Sequence, residues 1–355
     1  MARSQAALDV WRANPFLQVD DGRIYNPLTD ATLTPADPEY VAFQGFLRGE
    51  DADDALSRDG WIIQEADDLS VQFRLKIVSL ELMTRCNQKC YFCPVSIAPR
   101  EDHEMPENLF ARITAELAGF KTIEAVFLQS YNEPTLDRRF VEHCRALYTA
   151  GLPVAVLSNG SGLTPARVDA LVESAPLRYL CINLSTLDRE RYADDRGAGH
   201  LALVLRNLDY LKSRPLAQEM NIAVLGRGDD VHQRDFAEIR ARFAGSRLNV
   251  RFDVVMDRAG WLDVGLKPFA RVKHLGGCEN IGSRPLQHLH ITSHGTCVLC
   301  CEDYDERYVI GDLTESGIAE VLRGPAIARL RRWVYGIEDA PDDFICRGCI
   351  FARSR

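Results

Sequence analysis

Short predicted strands and amphipathic helices alternate along the middle of this chain, and few folds accommodate such an order. Runs rich in Val, Ile and Leu predict six strands, at residues 76–83, 123–128, 154–158, 179–185, 222–225 and 250–256. Helical stretches separate them, at residues 106–119, 138–150, 164–174, 200–213 and 231–243. The alternation predicts an α/β fold in which helices cover a parallel sheet. In parallel barrels of this kind, ligands bind at the carboxyl ends of the strands.

Three cysteines follow the first predicted strand. Cys86, Cys90 and Cys93 form a C-x3-C-x2-C pattern, with aromatic residues just before the third cysteine. Three thiolates on one loop can hold three irons of a 4Fe–4S cluster, whereas an electron-transfer ferredoxin closes its cluster with four cysteines. An open coordination position is typical of a catalytic metal site. A zinc knuckle is the alternative, but the sequence offers no fourth ligand nearby.

The composition is that of a globular protein, and the first residues contain no apolar stretch, so we expect no export signal. The chain has 355 residues, enough for two or three domains, and its net charge of −9 argues against a nucleic acid as the main partner. No apolar run reaches the roughly 20 residues that span a bilayer, so we expect a cytoplasmic protein with no membrane partner. Eleven cysteines then indicate metal binding or catalysis, not disulfides. The isolated Cys144 and Cys181 lie in apolar patterns and are assigned to the core.

The cysteine loop resembles the signature of the radical SAM superfamily, and Tyr91 and Phe92 fit the aromatic position of that motif. The resemblance implies a partial (β/α)6 barrel, similar to a TIM barrel, and a 4Fe–4S cluster whose open iron binds S-adenosylmethionine (SAM). It further implies reductive cleavage of SAM to a 5′-deoxyadenosyl radical, which abstracts a hydrogen atom from the substrate. An electron donor such as flavodoxin or ferredoxin would supply the electron.

Polar residues at the ends of later strands fit the same resemblance. After the second strand, the segment up to Pro134 resembles the family's G-G-E-P loop, with Tyr131 and Asn132 in place of the glycines. The resemblance implies that Glu133 bonds the amino group of SAM, as a charge-assisted pair; an ordinary acid in a surface turn is the alternative. The other SAM contacts that it implies are Asn132, Ser158, Asn183, Ser185 and Leu225. Arg196, in an R-G turn after the fourth strand, has no assigned role.

Six further cysteines lie between residues 271 and 355. The stretch Gly295–Asp303 reads G-x4-C-C-x-D, and with the closing C-x2-C pair it resembles the SPASM/twitch extension of radical SAM enzymes, in which a β-hairpin and a helix carry an auxiliary 4Fe–4S cluster. The resemblance implies one closed cluster with four ligands, Cys278, Cys300, Cys346 and Cys349. Cys297 is the alternative to Cys300, and a structural zinc is the alternative to the cluster. Cys301 either packs beside a ligand or donates a hydrogen atom to a substrate radical.

The N-terminal part of the chain carries no metal motif and predicts a small α+β module. Its signals run in the order strand, helix, helix, strand, at residues 21–27, 36–48, 52–57 and 59–63. This order resembles a RiPP recognition element, which binds the leader of a ribosomally made precursor peptide by strand addition. A plain cap over one barrel end fits equally well. The predicted domains are the module (1–75), the barrel (76–270) and a cluster-binding extension (271–355). In the extension we predict a strand at 286–291 and a helix at about 316–334.

The resemblance implies a radical SAM enzyme but leaves its substrate open. A ribosomally synthesised peptide, receiving a crosslink, a thioether or an epimerised residue, is the first expectation because of the N-terminal module. A small molecule such as an amino sugar is the alternative. A different class, an iron–sulfur or electron-transfer protein that does not cleave SAM, is disfavoured by the open cysteine triad and by Glu133. Arg251 and Asp253 share a face of the sixth strand, which predicts either an inward-facing pair or an ordinary surface salt bridge.

Overall fold

The computed structural model describes residues 10–355, beginning with a small module of strands and two helices. Its elements are β1 (Trp11–Ala13), β2 (Gln18–Asp20), β3 (Arg23–Asn26), β4 (Ala31–Leu33), α1 (Pro38–Leu47), α2 (Asp54–Arg58) and β5 (Ile62–Gln64). Strands β2, β3 and β4 form an antiparallel sheet, and β1 pairs with β5. A separate core that includes Phe43, Leu56 and Trp61 holds the module together. The predicted strands and helices are present; β1, β2 and β4 were missed because three residues are too few for a periodic signal.

The central part alternates between strands and helices, as the sequence predicts. In chain order the elements are β6 (Ile77–Leu80), α3 (Glu107–Leu117), β7 (Ala125–Phe127), α4 (Phe140–Thr149), β8 (Val154–Ser158), α5 (Pro165–Ser174), β9 (Leu177–Leu184), α6 (Arg189–Arg196), α7 (Leu201–Leu211), β10 (Ala217–Gly226), α8 (Asp230–Arg242) and β11 (Asn249–Val254). The six strands pair in parallel in the order β6 to β11. The sequence did not predict α6, because six of its eight residues are charged and too few apolar residues remain to form a periodic pattern.

One large hydrophobic core joins this sheet to its helices. Each strand from β6 to β10 contributes a fully buried aliphatic side chain, for example Val78, Val126, Val156, Ile182 and Ile222. Cys144 and Cys181 are buried in the same region, which confirms their assignment to the core. The partial barrel is therefore built by ordinary burial of apolar side chains, and the loops at its carboxyl edge are free to carry chemistry.

The C-terminal part extends the barrel sheet. Its elements are β12 (Leu275–Cys278), α9 (Arg284–Gln287), β13 (His288–Ile291), β14 (Thr296–Val298), β15 (Val309–Asp312), α10 (Ile318–Arg323), α11 (Pro325–Val334) and β16 (Ala352–Ser354). Strand β13 pairs in parallel with β6, and β14 and β15 follow in antiparallel order, so that one nine-stranded sheet runs from β11 to β15. Strand β12 pairs separately with β16. The predicted domain boundaries fall in irregular segments, but the sheet continues across the second one.

Two predicted elements of the C-terminal part differ from the structure. The single helix expected at about residues 316–334 is two helices, because Gly324 is extended and Pro325, which has no N–H group, starts the second helix. The strand expected at 286–291 begins only at His288, after the short helix α9, whose first turn contains Pro285. In the described part of the chain, no helix is both long and apolar enough to cross a membrane.

Candidate functional site

The loop after β6 brings three predicted ligands to the carboxyl edge of the parallel sheet, Cys86, Cys90 and Cys93. The end of α6 supports this loop through the main chain. The N–H group of Lys89 donates to the carbonyl of Arg196 at 2.8 Å, and that of Tyr91 donates to the carbonyl of Asp195 at 3.1 Å. A charged helix that gave no sequence signal therefore holds the cysteine loop in position.

The three thiols lie within electrostatic range of one another; Cys90 is buried, and Cys86 and Cys93 are partly buried. Burial raises the pKa of each, to about 12 for Cys86. Neighbouring thiols raise the pKa further, since Cys90 and Cys93 both act on Cys86, and Cys90 acts on Cys93. Such thiols stay protonated near neutral pH, and metal coordination is the usual way to deprotonate them. Three converging sulfur donors on one loop fit a cluster that keeps one iron open.

Arg196, which the sequence left without a role, lies beside this loop. Only 1% of its surface is exposed. Its Nε donates to Oγ of Ser185 at 3.2 Å, and its Nη1 lies 3.9 Å from Sγ of Cys90. The guanidinium also lies over the ring of Phe92, with Cζ of Arg196 4.9 Å from the ring centroid. Its Nη2 is buried and finds no hydrogen-bond partner within residues 10–355. A buried donor without a partner marks a place where a ligand group fits.

Glu133 joins two of the strand-end loops. It is only 2% exposed, which excludes the surface-turn alternative. Its Oε1 accepts hydrogen bonds from the N–H and hydroxyl groups of Thr135 at 3.1 and 2.5 Å and from the hydroxyl of Ser158 at 2.7 Å. Its Oε2 accepts from the N–H group of Asn159 at 2.6 Å. Burial raises the pKa of Glu133 despite these bonds. The carboxylate thus fixes the turn after β8 against the loop after β7.

The remaining predicted SAM contacts lie around the same loops. The side-chain oxygen of Asn132 accepts from the N–H group of Ser130 at 3.0 Å, while its nitrogen is buried and unpartnered in the described part of the chain. Asn183 lies half-buried on β9, two residues before Ser185. A small apolar cluster surrounds the aromatic part of the cysteine loop, formed by Val255, Leu262 and Val264 with Tyr91, Phe92 and Leu225 packed against them.

A second group of thiols converges in the C-terminal part, Cys278, Cys300, Cys346 and Cys349. Burial raises the pKa of each of the four. They also act on one another, because Cys278 and Cys349 raise the pKa of Cys346, and Cys346 raises that of Cys300. These predicted ligands therefore lie within electrostatic range of one another.

The two other cysteines of this region differ in position. Cys301 belongs to the group of thiols, since it raises the pKa of both Cys300 and Cys349. Cys297 lies in the hydrophobic core on β14, where Asp312 and no cysteine acts on it. The structure therefore favours Cys300 over Cys297. Within residues 10–355, no three His, Cys, Asp or Glu side chains are arranged to hold a single metal ion.

Tyr131, Arg258 and Glu302 connect the two groups of cysteines. The hydroxyl of Tyr131 donates to the carbonyl oxygen of Cys301. Nη1 of Arg258 lies 3.3 Å from Oε1 of Glu302, and Cζ of Arg258 lies 5.7 Å from the ring centroid of Tyr131. Arg258 and Ala259 both have left-handed backbone (φ 54°), which is strained for residues other than glycine. The tyrosine that replaces a glycine of the family loop thus reaches from the barrel to the C-terminal part.

Arg251 and Asp253 form the surface pair that was one of the two sequence expectations. Nη2 of Arg251 lies 3.2 Å from Oδ1 of Asp253, and the two side chains are 48% and 30% exposed, respectively. Arg251 also donates to the hydroxyl of Tyr179 at 3.0 Å. Neither residue contacts the groups of cysteines.

Family models match both the barrel and its extension. The model of the radical SAM superfamily matches residues 80–239, and that of an iron–sulfur cluster-binding domain, SPASM, matches residues 278–350. Residues 80–239 of the chain therefore form a radical SAM domain, and a SPASM domain follows it. Each group of cysteines falls within one of the two matches, and the segment between them contains β11 and the loop of Arg258.

Known proteins resemble this radical SAM protein over different lengths. The PqqA peptide cyclase of Ruegeria pomeroyi is 31% identical over 121 residues, 34% of this chain and 31% of that protein. The S-adenosyl-L-methionine-dependent 2-deoxy-scyllo-inosamine dehydrogenase of Niallia circulans is 25% identical over 108 residues, 29% of this chain and 43% of that protein. The matches span between 28% and 43% of the length of the curated relatives.

A solved structure shares the fold over nearly the whole chain. Streptococcus suis SuiB, bound to the precursor peptide SuiA, matches with a TM-score of 0.60 at 12% identity. The match covers 96% of this chain and 93% of that chain, so it includes most of the N-terminal module. The central parallel sheet is thus that of a TIM-like radical SAM fold.

Proposed function

We propose that this protein cleaves SAM reductively and uses the resulting radical to remove a hydrogen atom from its substrate. The observation that carries the proposal is the position of Cys86, Cys90 and Cys93 on one loop at the carboxyl edge of the sheet, inside the radical SAM match. Cys86, Cys90 and Cys93 would hold a 4Fe–4S cluster, and this cluster would supply the electron for the reductive cleavage of SAM. The chain itself binds and orients SAM and keeps water away.

Two charged groups of this site complement the methionine end of SAM. The free Nη2 of Arg196, with the neighbouring Ser185, would bind the carboxylate as a charge-assisted pair. Oε2 of Glu133 accepts one hydrogen bond from the protein, so it retains a lone pair for the ammonium group. The remaining SAM-binding positions we propose are Asn132, Ser158 and Asn183 for polar groups, and Tyr91, Phe92 and Leu225 for the adenosyl part.

The second group of thiols supports an auxiliary 4Fe–4S cluster. We assign its ligands as Cys278, Cys300, Cys346 and Cys349; Cys300 is buried, the other three are partly buried, and the thiols lie within electrostatic range of one another. Such a cluster supplies a second redox centre within the protein. A small electron-transfer protein such as flavodoxin or ferredoxin is the proposed electron donor.

Iron content and 5′-deoxyadenosine formation test this assignment. Anaerobic reconstitution should load about eight irons per chain, and about four in the Cys86→Ala/Cys90→Ala/Cys93→Ala variant. With dithionite and SAM, the wild type should form 5′-deoxyadenosine and the triple variant should not. Cys144→Ala, which removes an isolated core thiol, is the matched control and should behave as the wild type. Equal iron and equal 5′-deoxyadenosine in the triple variant would overturn the proposal.

We propose a ribosomally made peptide as the substrate. In the described part of the module, β4 pairs only with β3, so its outer edge can accept an added strand. The shared fold with SuiB extends over the module, and a peptide cyclase is among the relatives. The relative that is a 2-deoxy-scyllo-inosamine dehydrogenase supports a small molecule as the second candidate.

Hydrogen exchange distinguishes the two substrate classes. A bound precursor peptide should slow exchange of the amides of β4 (Ala31–Leu33) and should raise 5′-deoxyadenosine formation. The amides of β11, the edge strand of the large sheet, serve as the internal control and should not change. Stimulation by 2-deoxy-scyllo-inosamine, with unchanged exchange at β4, would favour the small-molecule alternative.

A further inference from the structure

Arg284 is a positively charged residue beside the second group of cysteines. No carboxylate in the described part of the chain forms a salt bridge with it. Its Nη1 lies 3.1 Å from Nε2 of His290, and its Nη2 donates to Oδ1 of Asn280 at 3.3 Å. Its Nε is buried and has no hydrogen-bond partner among the residues described. Glu302 is the carboxylate that acts most on Arg284, but it forms its salt bridge with Arg258.

The groups that surround this guanidinium are thiols and neutral imidazoles. The charge of Arg284 acts on three of the thiols, Cys278, Cys300 and Cys301. Burial, and then the charge of Arg284 itself, holds the pKa of His288 and of His290 well below the ordinary value, so both rings are neutral. Among the residues described, Arg284 therefore forms no salt bridge with a carboxylate.

A guanidinium shielded from water requires a nearby anion. Four thiolates around an iron–sulfur core provide one, because their four negative charges exceed the positive charge of the core. The donor set around Arg284 therefore fits the auxiliary cluster electrostatically as well as in ligand number. The positive charge of the guanidinium and the net negative charge of the thiolate-bound core would therefore compensate each other.

We propose that Arg284 is a positioning residue for the auxiliary cluster, whose fixed positive charge favours the reduced cluster and so raises its reduction potential. The inference rests on the proposed auxiliary cluster. Reduction adds a negative charge, which a nearby cation stabilises, and charge and hydrogen bonds around a cluster are known determinants of its potential. Arg284 needs no contact with SAM or with the substrate for this role.

The test is a redox titration of the auxiliary cluster alone. The Cys86→Ala/Cys90→Ala/Cys93→Ala protein removes the first cluster, and in this background Arg284 is replaced by Gln, Met or Lys. The reduced cluster is followed by electron paramagnetic resonance as the potential is varied. The matched control is Arg329→Gln, which removes the same charge from an exposed position on α11.

The neutral variants should shift the midpoint to more negative potential. We expect a change of about tenfold in the equilibrium constant for reduction, which is about 59 mV for a one-electron couple. Arg284→Lys should retain most of the wild-type value, and Arg329→Gln all of it. A cluster that is lost from both neutral variants but kept by Arg284→Lys also supports the charge role.

Three results would contradict the proposals, and they are distinguishable. Fully loaded neutral variants with the midpoint of the background protein would overturn the role of Arg284 and leave the auxiliary cluster intact. Loss of iron from all three Arg284 variants would assign the residue to packing. A background protein that binds no iron would overturn the auxiliary cluster itself.

Discussion

Replacing Arg196 by methionine should weaken SAM binding without disturbing the cysteine loop. Methionine keeps an unbranched apolar chain against the ring of Phe92 and removes only the guanidinium. The loop remains supported, because Lys89 donates to the main-chain carbonyl of residue 196 and not to its side chain. The substitution therefore separates the charge of Arg196 from its place in the fold.

The size of the effect follows from the hydrogen bonds that Arg196 would give to the SAM carboxylate. One buried donor, Nη2, is free, and a hydrogen bond to a charged group contributes about 1.5–3 kcal/mol. Since about 1.4 kcal/mol corresponds to a factor of ten in affinity, the Kd for SAM should rise roughly 10- to 150-fold. A ligand without the methionine carboxylate, such as 5′-methylthioadenosine, should bind both proteins equally.

Equilibrium dialysis of SAM and of 5′-methylthioadenosine against the reconstituted proteins measures both effects. Arg189→Met, at the exposed start of the same helix, is the control and should bind both ligands as the wild type does. If Arg196→Met retains its iron and binds SAM within twofold of the wild type, the carboxylate lies elsewhere and the reasoning fails. A matching loss of 5′-methylthioadenosine affinity would instead indicate a collapsed pocket.

Three further substitutions test other parts of the structure. Gly160→Ala should cost about 1–3 kcal/mol in urea unfolding, because residue 160 has φ 78° and an added Cβ would lie 3.0 Å from Ile182; unchanged stability would contradict this. The lowered pKa values of His288 and His290 mean that the unfolded chain binds more protons below about pH 6.5. Stability should thus fall between pH 7 and pH 5, and the double Gln variant should show a smaller fall. Tyr131→Phe loses one hydrogen bond to the C-terminal part and should lower the free energy of unfolding by about 0.5–1.5 kcal/mol; no change would mean that the hydroxyl does not hold the two parts together.

The elements that the sequence predicted well are those with a local hydrophobic pattern. Strand β8 was predicted at its observed bounds, because its residues form one continuous apolar run. Helix α6 has mostly charged residues and is held by its contacts to the cysteine loop, which no local pattern records. The break at Gly324 between α10 and α11 was visible in the sequence as a Gly-Pro pair, and the prediction of one helix underrated it.

Some features of the candidate site could likewise be predicted from the sequence, whereas others depend on contacts that form only in the folded chain. The spacing of Cys86, Cys90 and Cys93 is a local property, so the sequence alone singled out that loop. The contact between Arg196 and Cys90 joins residues 106 positions apart, and only the folded chain reveals it. The sequence predicted Cys300 as a ligand and left Cys297 as the alternative; the structure separates the two because Cys297 lies within β14 and Cys300 follows it.

The parallel pairing of β13 with β6 limits how this protein can be recombined with its relatives. Val78 pairs with Leu289 and Leu80 with Ile291, so the C-terminal part is aligned to the barrel residue by residue. A chimera whose graft shifts this register by one residue would displace the donor segment by about 3.3 Å and turn its buried side chains to the opposite face. Grafts from relatives should therefore be designed around this strand pair, and not around the linker that precedes it.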